Sequence, residues 1–182
     1  MLRSDHGLKI VKKVRKAKVD FGTNYPKKYG GAAAIEILRD ELNKSDIKTS
    51  KRDVFIKNIP LEIDLVIPTR NAKPYLGLLY EPEEVIVALE IKKLGAFSES
   101  GRNKIRNDFR QLKNKGVNCV YVSIEEREDY TWRPTKKTVG FPCFTLAWHK
   151  TFDGPLIPTK DVEGWEAFVR FIQKEIKSHN NN

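Results

Sequence analysis

Cysteine is scarce in this sequence, which has two in 182 residues. Each lies in an apolar, strand-like run, so we expect Cys119 and Cys143 to be buried thiols in a reducing compartment and not a disulfide. Zinc sites need Cys and His at short, regular spacings, whereas the three histidines are scattered. The two cysteines and the scattered His6, His149 and His179 therefore form no recognisable zinc cluster, which excludes metal–thiolate chemistry.

Long apolar runs are missing as well. No segment approaches the ~18–20 apolar residues of a membrane-spanning helix. The N-terminal segment carries charges where a signal peptide has its apolar stretch. We therefore expect a cytoplasmic protein without a membrane partner. No Gly/Ser-rich linker divides the chain, so residues 1–182 are predicted to form a single domain.

Positive charge, in contrast, is plentiful. Lys and Arg number 34 against 24 Asp and Glu, which gives a net charge of +10. That balance favours a polyanionic partner, either nucleic acid or an anionic membrane. A soluble protein that happens to be basic fits the charge equally well. A membrane-surface protein needs a lipid-facing amphipathic segment, which the chain lacks.

Hydrophobic periodicity predicts an alternation of helices and strands. Helices are expected at about 8–18, 31–43, from Ser98 or Ser100 to Gly116, and at 161–177. Strands are expected at about 53–57, 61–68, 83–93, 117–124 and 141–149. The connection 68–82 is too apolar for a free loop, so it covers the core or forms a dimer contact, and core cover is favoured. This order predicts an α/β (α+β) fold, a mixed β-sheet flanked by helices.

A Glu-x-Lys tripeptide occurs twice, once in a predicted strand and once in a predicted helix. Residues i and i+2 point about 200° apart on a helix but share one face of a strand. Glu175 and Lys177 should therefore diverge as solvated side chains. Glu90 and Lys92 should project side by side from the end of a central strand.

The preceding strand adds a second acid. Asp64 lies within the apolar run "LEIDLVIP", where a lone carboxylate is costly to bury. If the two strands are neighbours, Asp64, Glu90 and Lys92 converge. Paired carboxylates favour a hard divalent cation such as Mg²⁺, and a nearby lysine can orient water or stabilise charge on a phosphate. The alternative is a buried carboxylate–lysine ion pair.

These residues resemble the PD-(D/E)xK nuclease superfamily. Asp64 in "IDLVI" matches the first acid of its motif, and "EIK" at 90–92 matches the acid-x-Lys, although Ile63 replaces the usual proline. The resemblance implies a restriction-endonuclease-like αβββαβ core at about 30–124. A basic extension at 1–29 would precede this core. A loop, strand and C-terminal helix at 125–182 would follow it, ending in a disordered tail at 178–182.

The same resemblance implies Mg²⁺-dependent hydrolysis of DNA phosphodiester bonds, with Mn²⁺ able to substitute. Asp64, Glu90 and the Ile91 carbonyl would hold the metal, and Lys92 would position the attacking water. Glu36, on the first core helix, matches an acidic residue that assists the metal in many members. An exposed helical glutamate explains that position equally well.

The implied protein is a small type II restriction endonuclease that acts as a homodimer without a small-molecule cofactor. A junction resolvase, a phage or mobile-element nuclease, and a non-catalytic nucleic-acid-binding protein on a degenerate scaffold are the alternatives. Basic residues expected to contact DNA fall in the helix after the motif and in the segment 130–138, and each has a solvated surface residue as its alternative. They are Arg102, Lys104, Arg106, Arg110, Arg133, Lys136 and Lys137.

Overall fold

The computed structural model describes residues 5–22, 29–94, 99–129, 136–151, 154–160 and 164–181. Within these ranges the helices are α1 (His6–Phe21), α2 (Tyr29–Lys44), α3 (Glu99–Lys113), α4 (Lys136–Val139) and α5 (Trp165–Asn180). The strands are β1 (Val54–Ile56), β2 (Ile59–Ile63), β3 (Leu65–Pro68), β4 (Leu79–Tyr80), β5 (Val85–Leu94), β6 (Asn118–Arg127), β7 (Cys143–His149) and β8 (Leu156–Pro158).

The strands form two sheets where the sequence predicted one. A five-stranded sheet has the order β3-β5-β6-β7-β8, and a three-stranded sheet has the order β2-β1-β4. In the larger sheet β5, β6 and β7 are parallel, and β3 and β8 pair antiparallel at its edges. The predicted class, a mixed α+β fold flanked by helices, is confirmed.

Helices cover both faces of the large sheet. One apolar cluster joins α1, α2 and α5 to the face carrying Leu89 and Val122. The other joins α3 and the small sheet to the face carrying Ala88 and Tyr121. Because β5 and β6 are covered on both sides, their sequences read as nearly continuous apolar runs. Gly7 permits one close approach, since a Cβ there would lie 2.1 Å from the carbonyl oxygen of Leu146 in β7.

The predicted strand "LEIDLVIP" is in fact two strands that belong to different sheets. It breaks at Asp64, whose carbonyl accepts a hydrogen bond from the N–H of Asp53 at 3.2 Å. On one side of this break β2 pairs with β1, and on the other β3 pairs with β5. Asp64 therefore lies where the chain leaves the small sheet and enters the large one.

Two further expectations need correction. Helix α5 continues to Asn180, so residues 178–180, expected in a disordered tail, are helical. In the connection 68–82, Tyr80 is buried, but Tyr75 and Leu76 are 70% and 77% exposed and do not cover the core. They sit in a tight turn that Leu76 and Gly77 close with positive φ angles, and this turn directs both side chains outward.

Both cysteines are free thiols, as predicted, and Cys119 is buried as expected. Cys143 is only half-buried, so the expectation that it is buried was wrong. Among the described helices, none has the length and apolar character that crossing a bilayer requires.

Candidate active site

Strand pairing brings the two predicted carboxylates together. Leu65 of β3 pairs with Leu89 of β5, so Asp64 lies beside Glu90, one position further along the antiparallel pair. The Oδ2 atom of Asp64 accepts a hydrogen bond from the backbone N–H of Ile91 at 2.6 Å. Both carboxylates are half-buried. This bond fixes the Asp64 side chain against the backbone of β5.

Lys92 lies on the same strand face as Glu90, as the strand period predicted, and the two side chains form an ion pair. The Lys92 side chain is 41% exposed and that of Glu90 is 22% exposed. Lys93 points the other way, because its Cδ lies 3.4 Å from the position of a Cβ on Gly30 in α2. The ammonium of Lys92 therefore lies at the carboxylates and is also accessible to a ligand from solvent.

The environment of Asp64 favours its protonated form. Burial, followed by repulsion from Glu90, raises the pKa of Asp64 to about 6. The hydrogen bond from Ile91 and the charge of Lys92 act in the opposite direction but do not cancel the rise. Two carboxylates that repel each other in a partly desolvated place form a strong site for a cation.

Lys104 on α3 lies within the electrostatic reach of this pair. It donates a hydrogen bond to Asp108 at 2.7 Å, which is the main cause of its raised pKa. The charges of Asp108, Glu90 and Asp64 add to that rise. The exposed side of α3 thus places a cation close to the carboxylates.

Glu36 was expected either to assist the metal or to be an ordinary exposed helical glutamate. It is exposed and forms ion pairs with Arg39 at 2.8 Å and with Arg52 at 3.9 Å. Arg52 in turn contacts Asp53 at 3.3 Å, and Asp53 raises the pKa of Asp64 slightly. In the parts of the chain that the structure describes, no set of three or more His, Cys, Asp or Glu side chains is arranged to hold a metal. A role for Glu36 beside the metal stays a prediction.

Three residues near the site were not singled out from the sequence. Asp53 donates its N–H to the carbonyl of Asp64 and adopts a left-handed φ of 57°, which no sequence period signals. Tyr121 and Ser123 of β6 pair with Glu90 and Lys92 and are fully buried. Alternation along "VNCVYVSI" would have placed both on one face.

The predicted DNA-contacting residues fall into separate places. Lys104 and Arg110 are exposed on α3, and Arg106 is half-buried there. Lys136 and Lys137 are exposed at the start of α4, which precedes β7. Arg133, Ser98 and the side chain of Arg102 lie outside the described residues.

The second Glu-x-Lys copy is on a helix, as predicted. Lys177 is exposed, but Glu175 is half-buried and accepts a hydrogen bond from Nδ2 of Asn118 at 2.7 Å. The expectation of a solvated Glu175 was therefore wrong, since α5 packs this residue against the start of β6.

No protein-family model matches the chain, and no curated protein sequence matches it. The arrangement of its strands and helices is that of a nuclease-like fold. Two solved structures similar to it are of NucC, each in a cAAA-bound form. NucC of P. aeruginosa ATCC27853 has a TM-score of 0.60 and 12% identity over 96% of this chain and 87% of the other. NucC of E. coli MS115-1 has a TM-score of 0.59 and 12% identity over 96% and 86%.

Proposed function

We propose that this protein is a metal-dependent endodeoxyribonuclease that hydrolyses phosphodiester bonds in DNA. The observation that carries the proposal is the meeting of Asp64 and Glu90 at the end of β5, with Lys92 on the same face. The nuclease-like fold supports it, because the neighbours in structure are NucC nucleases. The net charge of +10 suits a polyanionic substrate.

The residues present fit Mg²⁺. This ion is often held by only one or two carboxylates and keeps several of its water molecules, so a third carboxylate is not required. Asp64 and Glu90 would bind it with the Ile91 carbonyl, and Mn²⁺ prefers the same oxygen ligands. When bound, the ion would stabilise negative charge on the phosphate and on the leaving oxygen.

The protein's own side chains supply positioning and charge. Asp64 is held in place by the N–H of Ile91. Lys92 would orient the attacking water and offset negative charge on the scissile phosphate, and its ion pair with Glu90 keeps the ammonium at the site. Lys104 and Arg110, exposed on α3, would contact neighbouring phosphates.

The finer identity remains a proposal. A small type II restriction endonuclease that works as a homodimer is favoured, and a junction resolvase or a mobile-element nuclease is the alternative within the class. The structures of NucC contain cAAA, so the expectation that no small molecule is required needs a direct test on this chain.

The test is cleavage of plasmid DNA by purified protein with Mg²⁺, with Mn²⁺, and with EDTA, each with and without cAAA. We expect cleavage only when a metal is present. Asp64→Asn, Glu90→Gln and Lys92→Gln should each reduce the rate at least about a hundredfold, the scale on which electrostatic catalytic groups act. Discrete fragments would indicate restriction, whereas smearing would indicate a non-specific nuclease.

Lys93→Gln is the matched control for Lys92→Gln, because the two lysines are adjacent but point to opposite faces of the sheet. Its rate should stay close to that of the wild type. Equal losses in both variants would remove the assigned role of Lys92. Absence of cleavage on duplex, branched and single-stranded DNA under all conditions would instead favour a non-catalytic nucleic-acid-binding protein.

A further inference from the structure

A cleft of two adjoining cavities lies at the N-terminal end of β6. The cavities measure about 240 and 340 Å³, and both are lined by Asn118 and Glu175. Asn118 begins β6, whereas Tyr121, three residues later, pairs with Glu90. At ~3.3 Å per residue, the start of β6 is therefore about 10 Å along the strand from the carboxylates. We call these two cavities the distal cleft.

One wall of the smaller cavity is aromatic and fixed. Phe141 and Phe171 line it together with Pro142. The ring of Phe141 packs edge-on against Phe109 with centroids 4.9 Å apart, and Phe171 packs against Phe144 at 5.6 Å. Because neighbouring rings hold them, these side chains offer a preformed apolar surface to a flat ligand.

The rest of the smaller cavity is polar, with charges of both signs. Lys113 at the end of α3 and Lys136 at the start of α4 are exposed at its rim. Asn118 and Glu175 are hydrogen-bonded to each other at 2.7 Å. The amide and the carboxylate together present a donor and several acceptors beside the aromatic wall.

Each part of this lining selects a part of a ligand. The aromatic wall favours a flat ring, and an asparagine amide can pair with the edge of a base such as adenine. Two lysines favour a phosphate. The smaller cavity, at about 240 Å³, lies just below the ~300–1,000 Å³ usual for ligand pockets, and the larger one at about 340 Å³ lies within that range.

We propose that the distal cleft binds a nucleoside 5′-monophosphate, with the base against Phe141 and Phe171 and the phosphate at Lys113 and Lys136. This chemistry occurs in a free mononucleotide and at the 5′-phosphorylated end of a DNA strand. The site is separate from the carboxylates at the end of β5. Binding there does not depend on the proposed nuclease activity.

The experiment is an NMR titration of ¹⁵N-labelled full-length protein with 5′-AMP in EDTA, where no metal-dependent cleavage occurs. We expect the largest shift changes at the amides of Asn118, Gly140, Phe141 and Glu175. Adenosine and inorganic phosphate, titrated separately, should each bind at least about tenfold more weakly. Absence of shifts at millimolar 5′-AMP would overturn the proposal, as would shifts confined to the β5 end or phosphate binding as tightly as 5′-AMP.

Charge variants test the phosphate contact. Lys113→Gln combined with Lys136→Gln should weaken 5′-AMP binding about tenfold or more and leave adenosine binding unchanged. Lys174→Gln is the control, because that lysine is exposed on α5 beside Glu175 but lines neither cavity. Equal affinity of the double variant and the wild type for 5′-AMP would refute the assignment.

A final comparison distinguishes the two sources of the ligand. A short DNA strand with a 5′-phosphate, compared with the same strand bearing a 5′-hydroxyl, should bind more tightly if strand ends occupy the cleft. If 5′-AMP binds and the phosphorylated strand does not, the ligand is a free mononucleotide. Both results keep the nucleotide site, and neither depends on whether DNA is cleaved.

Discussion

Asp64 illustrates how a partly buried carboxylate beside a second carboxylate reduces stability. Its pKa is about 6 in the folded protein, against an ordinary value of 3.8. Between these values the folded state binds more protons than the unfolded state, so the free energy of unfolding falls as pH rises. The full loss of unfolding free energy caused by Asp64 is present above pH 6 and absent below about pH 4.

We therefore expect Asp64→Asn to stabilise the protein at neutral and alkaline pH while it reduces cleavage at least about a hundredfold. At pH 8 in EDTA its free energy of unfolding should exceed that of the wild type by up to about 3 kcal/mol, the equivalent of the pKa shift. Near pH 4 the difference should disappear. Urea unfolding at the two pH values measures this, and a variant less stable than the wild type at pH 8 would contradict the assigned cause.

Glu41 has the opposite effect, at the scale of the elements that it joins. It is buried on α2 and pairs with Lys13 of α1 at 2.5 Å, and it also contacts His6 of α1 and Lys44. The hydrogen bond from Lys13, followed by weaker contributions from Lys44, holds the pKa of Glu41 at about 2 despite its burial. Its stabilising effect is therefore complete above about pH 4.5 and is lost as pH falls toward 2.

Glu41→Gln should reduce the free energy of unfolding at pH 7 by about 2 kcal/mol, because it leaves the cations around a buried position without their counter-charge. Asp40→Asn is the matched control, since the neighbouring Asp40 is exposed and pairs with the same Lys44. Its effect should stay below about 0.5 kcal/mol. Urea titrations at pH 7 compare the two, and equal effects would show that Glu41 does not anchor α1 to α2.

Long elements were predictable from the sequence because their apolar period is sustained over many residues. Ile35, Leu38 and Leu42 defined α2, and the two apolar faces of β5 placed it inside the sheet. Asp64 and Glu90 were predictable together because one apolar strand leads to each of them. The split at Asp64 was not, because no local pattern indicates that the residues before it pair with β1 and those after it with β5.

Other features depend on tertiary contacts that a local pattern does not contain. Glu36 has the local surroundings of a buried acid, yet it points to Arg39 and Arg52. Tyr75 and Leu76 look like core residues in composition, but a turn with two positive φ angles exposes them. Glu175 is half-buried and accepts a hydrogen bond from Asn118, a residue 57 positions away in the chain.

At the scale of the whole molecule, the two faces of the large sheet differ in what they carry. One face carries the carboxylates, with α3 beside them, and the other face packs against α1, α2 and α5. A DNA duplex at the carboxylates would therefore meet α3 first, and the helices behind the sheet would contribute only to the long-range field. The net charge of +10 predicts rapid, salt-sensitive association, but it does not indicate which lysines touch phosphates.

The dependence of DNA affinity on salt distinguishes contact from distant charge. Each lost phosphate contact should reduce the slope of log K against log salt by about 0.9. We expect Lys104→Gln and Arg110→Gln each to produce such a change, since both side chains are exposed on α3. Lys174→Gln removes the same charge from α5, across the sheet, so it should lower affinity slightly and keep the slope of the wild type. Fluorescence anisotropy of a labelled duplex in EDTA measures all four proteins. Equal slopes would mean that DNA does not approach the carboxylates along α3.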